Sequence, residues 1–389
     1  MIDHVLFFTY LPLTKKMEED FYMRELMAHG YKVTYVDLSI MYGRSTAAAS
    51  QEYPAYVIRV ASIAEFENII RSVSQHTLVI PIVTFNYQVL RLFKIVTKYN
   101  IRLGYFGRGM IPTPALQKNL LQRIFSNIGS YMSVKRLVAF LQNQFAFYHK
   151  LLGKVKRYDV IFSAGRYGIL GIGTGNKLDM KTAQIIPINY FDYDKYLSLE
   201  AMREPLVAEP YCVFIDQCLP YHPDIKLFGL KQIDPEKYFA SLNNYFDELE
   251  KRFKLKVVIA AHPKADYSNN PYKGRQVFKY QTAELVKFSE FALTHNSTSI
   301  SFGILYNKPL VVLYNKEVGE LFNRKQMQFF NDFIDGHFAD TDIPAEAQQL
   351  GELKINQEKY EHYKYNFLTS RESEQERTVN IFINSLSQL

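Results

Sequence analysis

The stretch 291–314, FALTHNSTSISFGILYNKPLVVLY, constrains the fold more than any other part of the chain. An apolar run leads into a cluster of small polar residues. A helix-length segment closed by Asn307-Lys308-Pro309 follows, and a second apolar run begins at Leu310. Strand, turn, helix and strand make a βαβ unit, whose two strands lie parallel in one sheet. The polar cluster His295, Asn296, Ser297, Thr298, Ser299 falls where the first strand ends and the helix begins. Unpaired amides and the positive end of a helix dipole meet there, which suits an anion such as phosphate. The alternative is that Ser297 or Thr298 only caps the helix.

The same alternation runs through the chain. Strand 5–9, a helix over 15–29 closed by Gly30, and strand 31–37 open it, as in many Rossmann-like nucleotide and sugar enzymes. The first turn holds Pro12 and no GxGxxG, which argues against a dinucleotide there. Further strands are expected at 78–83, 101–106, 159–163 and 185–188, with helices near 63–73 and 88–99. The glycines of 171–175 either cradle a phosphate or make turns. Residues 189–210 are polar and read as a linker, after which the pattern restarts with strand 211–216, helix 235–253, strand 256–261 and helix 282–288. The expectation is therefore an α/β chain of two Rossmann-like domains. Residues 1–200 form the acceptor-binding domain and 201–370 the nucleotide-sugar donor domain. A helix over 371–389 packs back on the first domain.

Charge is unevenly spread. The net charge is +7, yet between Asn68 and Tyr158 there are 14 Lys and Arg and no Asp or Glu, so the remainder sums to −7. The segment 112–157 is amphipathic and basic, punctuated by Lys118, Arg123, Lys135, Arg136, Lys150, Lys154, Lys156 and Arg157, with Gly129-Ser130 splitting it into two helices. Such a segment lies on an anionic membrane surface or is the solvated face of an ordinary core helix. It matches no nucleic-acid recognition motif. No apolar run is long enough to span a bilayer, and Asp3 precedes the first apolar run where a signal peptide would be basic. Cys212 and Cys218 have no metal-ligand spacing and suggest no disulfide framework. A cytoplasmic protein, peripheral on the inner membrane face, is expected.

In a parallel sheet ligands bind beyond the carboxyl ends of the strands. Three such ends in the second half carry polar groups: Asp216-Gln217, His262-Pro263-Lys264, and His295 with Ser297, Thr298 and Ser299. His262, on a turn fixed by Pro263, can donate to a leaving phosphate, and the hydroxyls add donors to the same group. His295 reaches that phosphate, reaches a sugar ring, or packs. Asp216 is either a general base for an acceptor hydroxyl or a loop cap. No Walker loop, zinc spacing or GxSxG occurs, which argues against a nucleotide hydrolase, a zinc enzyme or a serine hydrolase.

AHPK (261–264) and HNSTS (295–299), about thirty residues apart, resemble the HP and Ser/Thr motifs of bacterial CMP-sugar transferases. These are the sialyl-, polysialyl- and Kdo transferases of capsule and lipopolysaccharide assembly, and the likeness covers 211–314. It implies a GT-B fold, two Rossmann-like domains with parallel sheets facing across a cleft. It also implies an inverting, metal-independent glycosyltransferase that needs no cofactor and moves an acidic sugar from a CMP-sugar to a surface or lipid-linked glycan. His262, Lys264, His295, Ser297, Thr298 and Ser299 would hold CMP, and Asp216 would be the base. The chain departs from the pattern at the base, where the motif's acidic-acidic-Gly is replaced by Asp216-Gln217-Cys218. That leaves open an acid of the first domain. Rival readings are another donor (a UDP- or GDP-sugar, or CDP-glycerol with phosphotransfer) and a non-catalytic glycan assembly factor.

Overall fold

A computed structural model gives the fold and describes residues 1–44, 54–108, 112, 134–222, 225, 230–344, 347–348 and 351–389. Among them the chain divides into two compact units. The described residues up to Arg108, Val134–Phe191 and Thr369–Leu389 form unit 1, and Pro112 with Asp192–Leu368 form unit 2.

Unit 1 is built on seven strands: β1 (His4–Thr9), β2 (Lys32–Asp37), β3 (Val57–Arg59), β4 (Thr77–Pro81), β5 (Arg102–Gly107), β6 (Val160–Ala164) and β7 (Gln184–Ile188). Their order is β3-β2-β1-β4-β5-β6-β7, every neighbouring pair parallel. Strand β1, HVLFFT, is buried along its whole length, as a strand covered on both faces must be. Its period of two divides the core. Leu6 and Phe8 join one apolar layer with Phe66 and Phe93, while Val5 and Phe7 join the other. Ser62 caps the helix Ile63–Ser72 with a capping box, its hydroxyl accepting from the Glu65 amide while Glu65 accepts from the Ala61 amide.

The C-terminal helix Thr378–Gln388 covers the Val5/Phe7 layer. The ring of Phe382 sits 4.8 Å from Phe106 and 4.9 Å from Phe162, both edge-on. A buried polar clasp fixes its entry. Asn189 donates its amide to Thr378 Oγ1 and its side-chain amide to the Glu376 carbonyl, and Thr369 donates to Asn189 Oδ1 at 2.6 Å.

The expected single helix over 15–29 is two helices, Lys15–Asp20 and Met23–Ala28. Tyr22 between them is left-handed at φ 55°, and the Arg108 guanidinium takes the Asp20 carbonyl at 2.5 Å. That carbonyl would otherwise accept from the next helical turn. The glycines of 171–175 are spent on packing. The Thr174 amide donates to the Phe85 carbonyl, and a Cβ on Gly173, which has φ 94°, would lie 2.6 Å from that same carbonyl. A phosphate cradle needs such amides pointing outward, so that reading is corrected.

The helix Val134–Leu151 lies inside the basic segment, and Gly129-Ser130 falls outside the described residues. Lys150 is no part of a solvated face. It is fully buried, donates to Asp179 at 2.6 Å and stands over the Phe85 and Tyr158 rings. Burial lowers the Lys150 pKa and raises that of Asp179, each opposed by the partner.

Unit 2 repeats the plan with β8 (Tyr211–Ile215), β9 (Lys256–Ala261), β10 (Val277–Lys279), β11 (Ala292–Thr294), β12 (Leu310–Tyr314) and β13 (His337–Asp340). The order is β10-β9-β8-β11-β12-β13, again all parallel. The division at Phe191 falls inside the stretch read as a linker, because the residues after it bind unit 2. Asp192 accepts from Ser301, Lys195 pairs with Glu284 at 2.6 Å, and Tyr196 packs on Tyr306.

Truncating Phe382→Ala should cost unit 1 about 3–5 kcal/mol. Urea denaturation reads this directly, and a loss below about 1 kcal/mol would mean the helix does not seal that layer.

Candidate functional site

In unit 2 the strand order reverses its direction of progress between β8 and β11. Chains leaving these two strands run to opposite sides, so a crevice opens beyond their carboxyl ends. The residues that follow β9, β8 and β11, three adjacent strands, are His262, Asp216 and His295.

Gln217 spans the crevice. Its side-chain amide donates to the Asn296 carbonyl and accepts from the Asn296 amide, both at 2.9 Å. This reciprocal pair continues the β8–β11 ladder with a side chain in place of backbone. Sequence reasoning placed Gln217 with Asp216 at a strand end and noted it as a departure from a motif, but gave it no partner.

Asp216 is brought to the rim but enclosed, with 3% of its surface exposed. Oδ1 accepts from the Cys218 amide at 2.8 Å and Oδ2 from the Tyr267 hydroxyl at 2.6 Å, and the His262 amide is another of its donors. Burial pushes its pKa above the ordinary carboxylate value, and these donors oppose the rise. Cys218 takes a left-handed conformation at φ 53° to close this turn. Nothing in the sequence pattern marks Tyr267 as its partner.

His262 is half-buried, and its Nδ1 accepts from the Lys264 amide at 3.1 Å. In the neutral ring that assigns the proton to Nε2, which becomes a donor. The His222 ring lies edge-on at 4.9 Å. Both histidines precede a proline in the sequence, and that repeated dipeptide was the signal for the pair. Lys264 is exposed.

The turn before the helix Ile300–Leu305 carries Ser297 and Ser299 half-buried and Thr298 exposed. Ser297 Oγ accepts from the Ser299 amide at 3.2 Å. Among the described residues no group accepts from the amides of Ser297 or Thr298. Two open amides beside hydroxyls form a neutral donor set for an oxyanion. The helix itself has six residues, and its buried Ser301 is held by the Asp192 carboxylate.

His295 does not join this set. It is fully buried, with Nδ1 donating to the Leu313 carbonyl at 2.8 Å and Nε2 3.0 Å from the Tyr238 hydroxyl. Its ring stands edge-on to Phe214 at 5.4 Å. The expectation that it contacts phosphate or sugar is corrected, because both ring nitrogens are committed inside the core.

Two successive all-parallel sheets, each running outward in both directions from its first strand, define the GT-B fold. The chain is similar over its whole length to the crystal structure of the glycotransferase of kitacinnamycin. The TM-score is 0.51 at 11% identity, covering 100% of this chain and 99% of that one. Also similar are a UDP-N-acetylglucosamine 2-epimerase (TM-score 0.48, 11% identity, 100% and 96% covered) and the glycosyltransferase SnogD from Streptomyces nogalater (0.48, 11%, 100% and 99%). No family model and no curated protein matches the chain.

Burial lowers the His295 pKa to about 4, so the folded protein keeps this ring neutral where an unfolded chain protonates it. The part of the stability that His295 sets is therefore level above pH ~6.5 and is lost as pH falls from there toward 4. The urea midpoint of the wild type should fall further between pH 7 and 5 than that of His295→Phe. Equal falls would show that His295 is not held neutral.

Proposed function

We propose that the protein is a glycosyltransferase whose unit 2 binds the nucleotide-sugar donor, and that this donor is a CMP-activated acidic sugar of the sialic acid or Kdo type. The reading rests on one observation: His262 with an Nε2–H donor and the open turn 297–299 follow strands that flank β8 on either side. Departure of CMP leaves negative charge on its phosphate. Neutral donors already fixed in place stabilise that charge without reorganising. Lys264 adds a positive charge in the same loop as His262. No metal is required in this scheme, and inversion follows from direct attack by an acceptor hydroxyl on the sugar. The acceptor is a surface glycan, free or lipid-linked.

Asp216 fits a positioning role better than that of the base. An enclosed carboxylate whose oxygens accept from Cys218 and Tyr267 fixes the loops bearing Gln217 and His262. The base is then another acid.

A second reading keeps the fold and changes the donor to a UDP- or GDP-sugar or CDP-glycerol. What favours it is Gln217, spent on the Asn296 backbone where the resembled motif has a second acid.

Calorimetric titration with CMP, CDP, UDP and GDP separates the two. CMP should bind best, and His262→Ala should weaken it about 10- to 100-fold, the loss of one hydrogen bond to a charged group, with melting unchanged. Tighter binding of UDP or GDP would overturn the donor assignment.

Asp216→Asn should lower stability by about 1–3 kcal/mol, since one donor loses its acceptor. As a positioning residue it should leave the acid limb of the pH–rate profile in place. Disappearance of that limb together with transfer would instead make Asp216 the base.

A further inference from the structure

The helix Val134–Leu151 presents an apolar stripe outward. Leu137, Leu141, Phe145 and Tyr148, continued by Leu152 just past the helix, recur at spacings of three and four. Their exposures are 46, 58, 52, 55 and 66%. The opposite side of the helix is anchored in unit 1 by buried Ala146 and by Lys150 on Asp179. The stripe is therefore directed away from the body that holds the helix. Isolated exposed apolar residues are ordinary; four in register on one helix, with a fifth just past its end, are not.

Charge decides what covers the stripe. The helix contains no acid and opens with Lys135 and Arg136 in the sequence. At its other end, burial first and then Lys94 and Lys154 hold the His149 pKa below its usual range, which places both ammonium groups near that ring. The Phe145 ring packs on His149 at 4.5 Å, so apolar and cationic groups share this end. A second copy meeting the same face would set the ammonium groups of Lys94 and Lys154 against the same groups of its partner, a repulsive arrangement. Leucine and aromatic rings beside Lys and Arg suit a surface that is apolar beneath and anionic above.

We infer that Val134–Leu151 docks unit 1 onto an anionic membrane surface, the stripe entering the headgroup boundary and the flanking cations contacting lipid phosphates. This deepens the proposed transfer to a lipid-linked acceptor by naming the docking element, yet its evidence is independent of the donor site.

The full-length protein should co-sediment with phosphatidylcholine vesicles containing about a third phosphatidylglycerol, and much less with phosphatidylcholine alone. Raised salt should weaken the binding. Leu141→Glu combined with Phe145→Glu should lower partitioning at least about tenfold, while circular dichroism, melting and nucleotide titration stay as in the wild type. Both side chains are largely exposed, so the fold does not depend on them. Absence of binding at low salt, or equal binding by the double variant, overturns the inference. So does a concentration-dependent dimer that the double variant abolishes in sedimentation velocity, since that assigns the stripe to a second copy. Loss of vesicle binding with nucleotide affinity intact separates this test from failure of the glycosyltransferase reading.

Discussion

A carboxylate cannot be buried unless its oxygens are occupied, and Asp216 imposes that condition on the rim of unit 2. Its donors come from three places in the chain: the Cys218 turn, the loop carrying Tyr267, and the His262 backbone. None of these segments can shift without stranding a charge in a dry environment. The loops after β8 and β9 are in this way locked to each other, although each alone is irregular. Gln217 then ties the locked pair to the segment after β11.

The result is a rim that is rigid where it is buried and open where it faces outward. The groups at this rim are a histidine N–H, backbone amides and hydroxyls, with the charge of Lys264 in the same loop as the histidine. Such a set matches the shape and hydrogen-bonding of a phosphate more than its net charge. A site of this kind gains selectivity from geometry and loses little when the local charge varies. His295 shows the complementary use of imidazole: fully interior and neutral, it joins β11 to Tyr238 of the helix Pro235–Phe253.

Most of the strands were legible because parallel strands buried on both faces leave continuous apolar runs, as in HVLFFT and KVVIAA. The βαβ unit at 291–314 could be read for the same reason. Long-range partnerships could not. Nothing near Lys150 announces Asp179, nothing near Asp216 announces Tyr267, and the break at Tyr22 depends on an arginine 86 residues away. The glycines of 171–175 resembled a phosphate loop because glycine serves two needs, a positive φ and a close backbone approach, and sequence does not say which. His295 misled for a related reason. Its neighbours in sequence are small and polar, whereas its neighbours in space are Phe214, Tyr238 and Leu313.

The closing helix Thr378–Gln388 has a consequence for biosynthesis. Unit 1 is closed by a helix that follows unit 2 in the chain, so all of unit 2 emerges from the ribosome while the Val5/Phe7 layer still lacks Phe382 and Leu386. During synthesis that layer is an uncovered greasy sheet face for as long as some 180 residues take to be made, on the order of ten seconds or more. The nascent chain is thus exposed to chaperones and to self-association in a window that ends only once that helix has been made, and a chain cut short anywhere in unit 2 would leave both units unfinished.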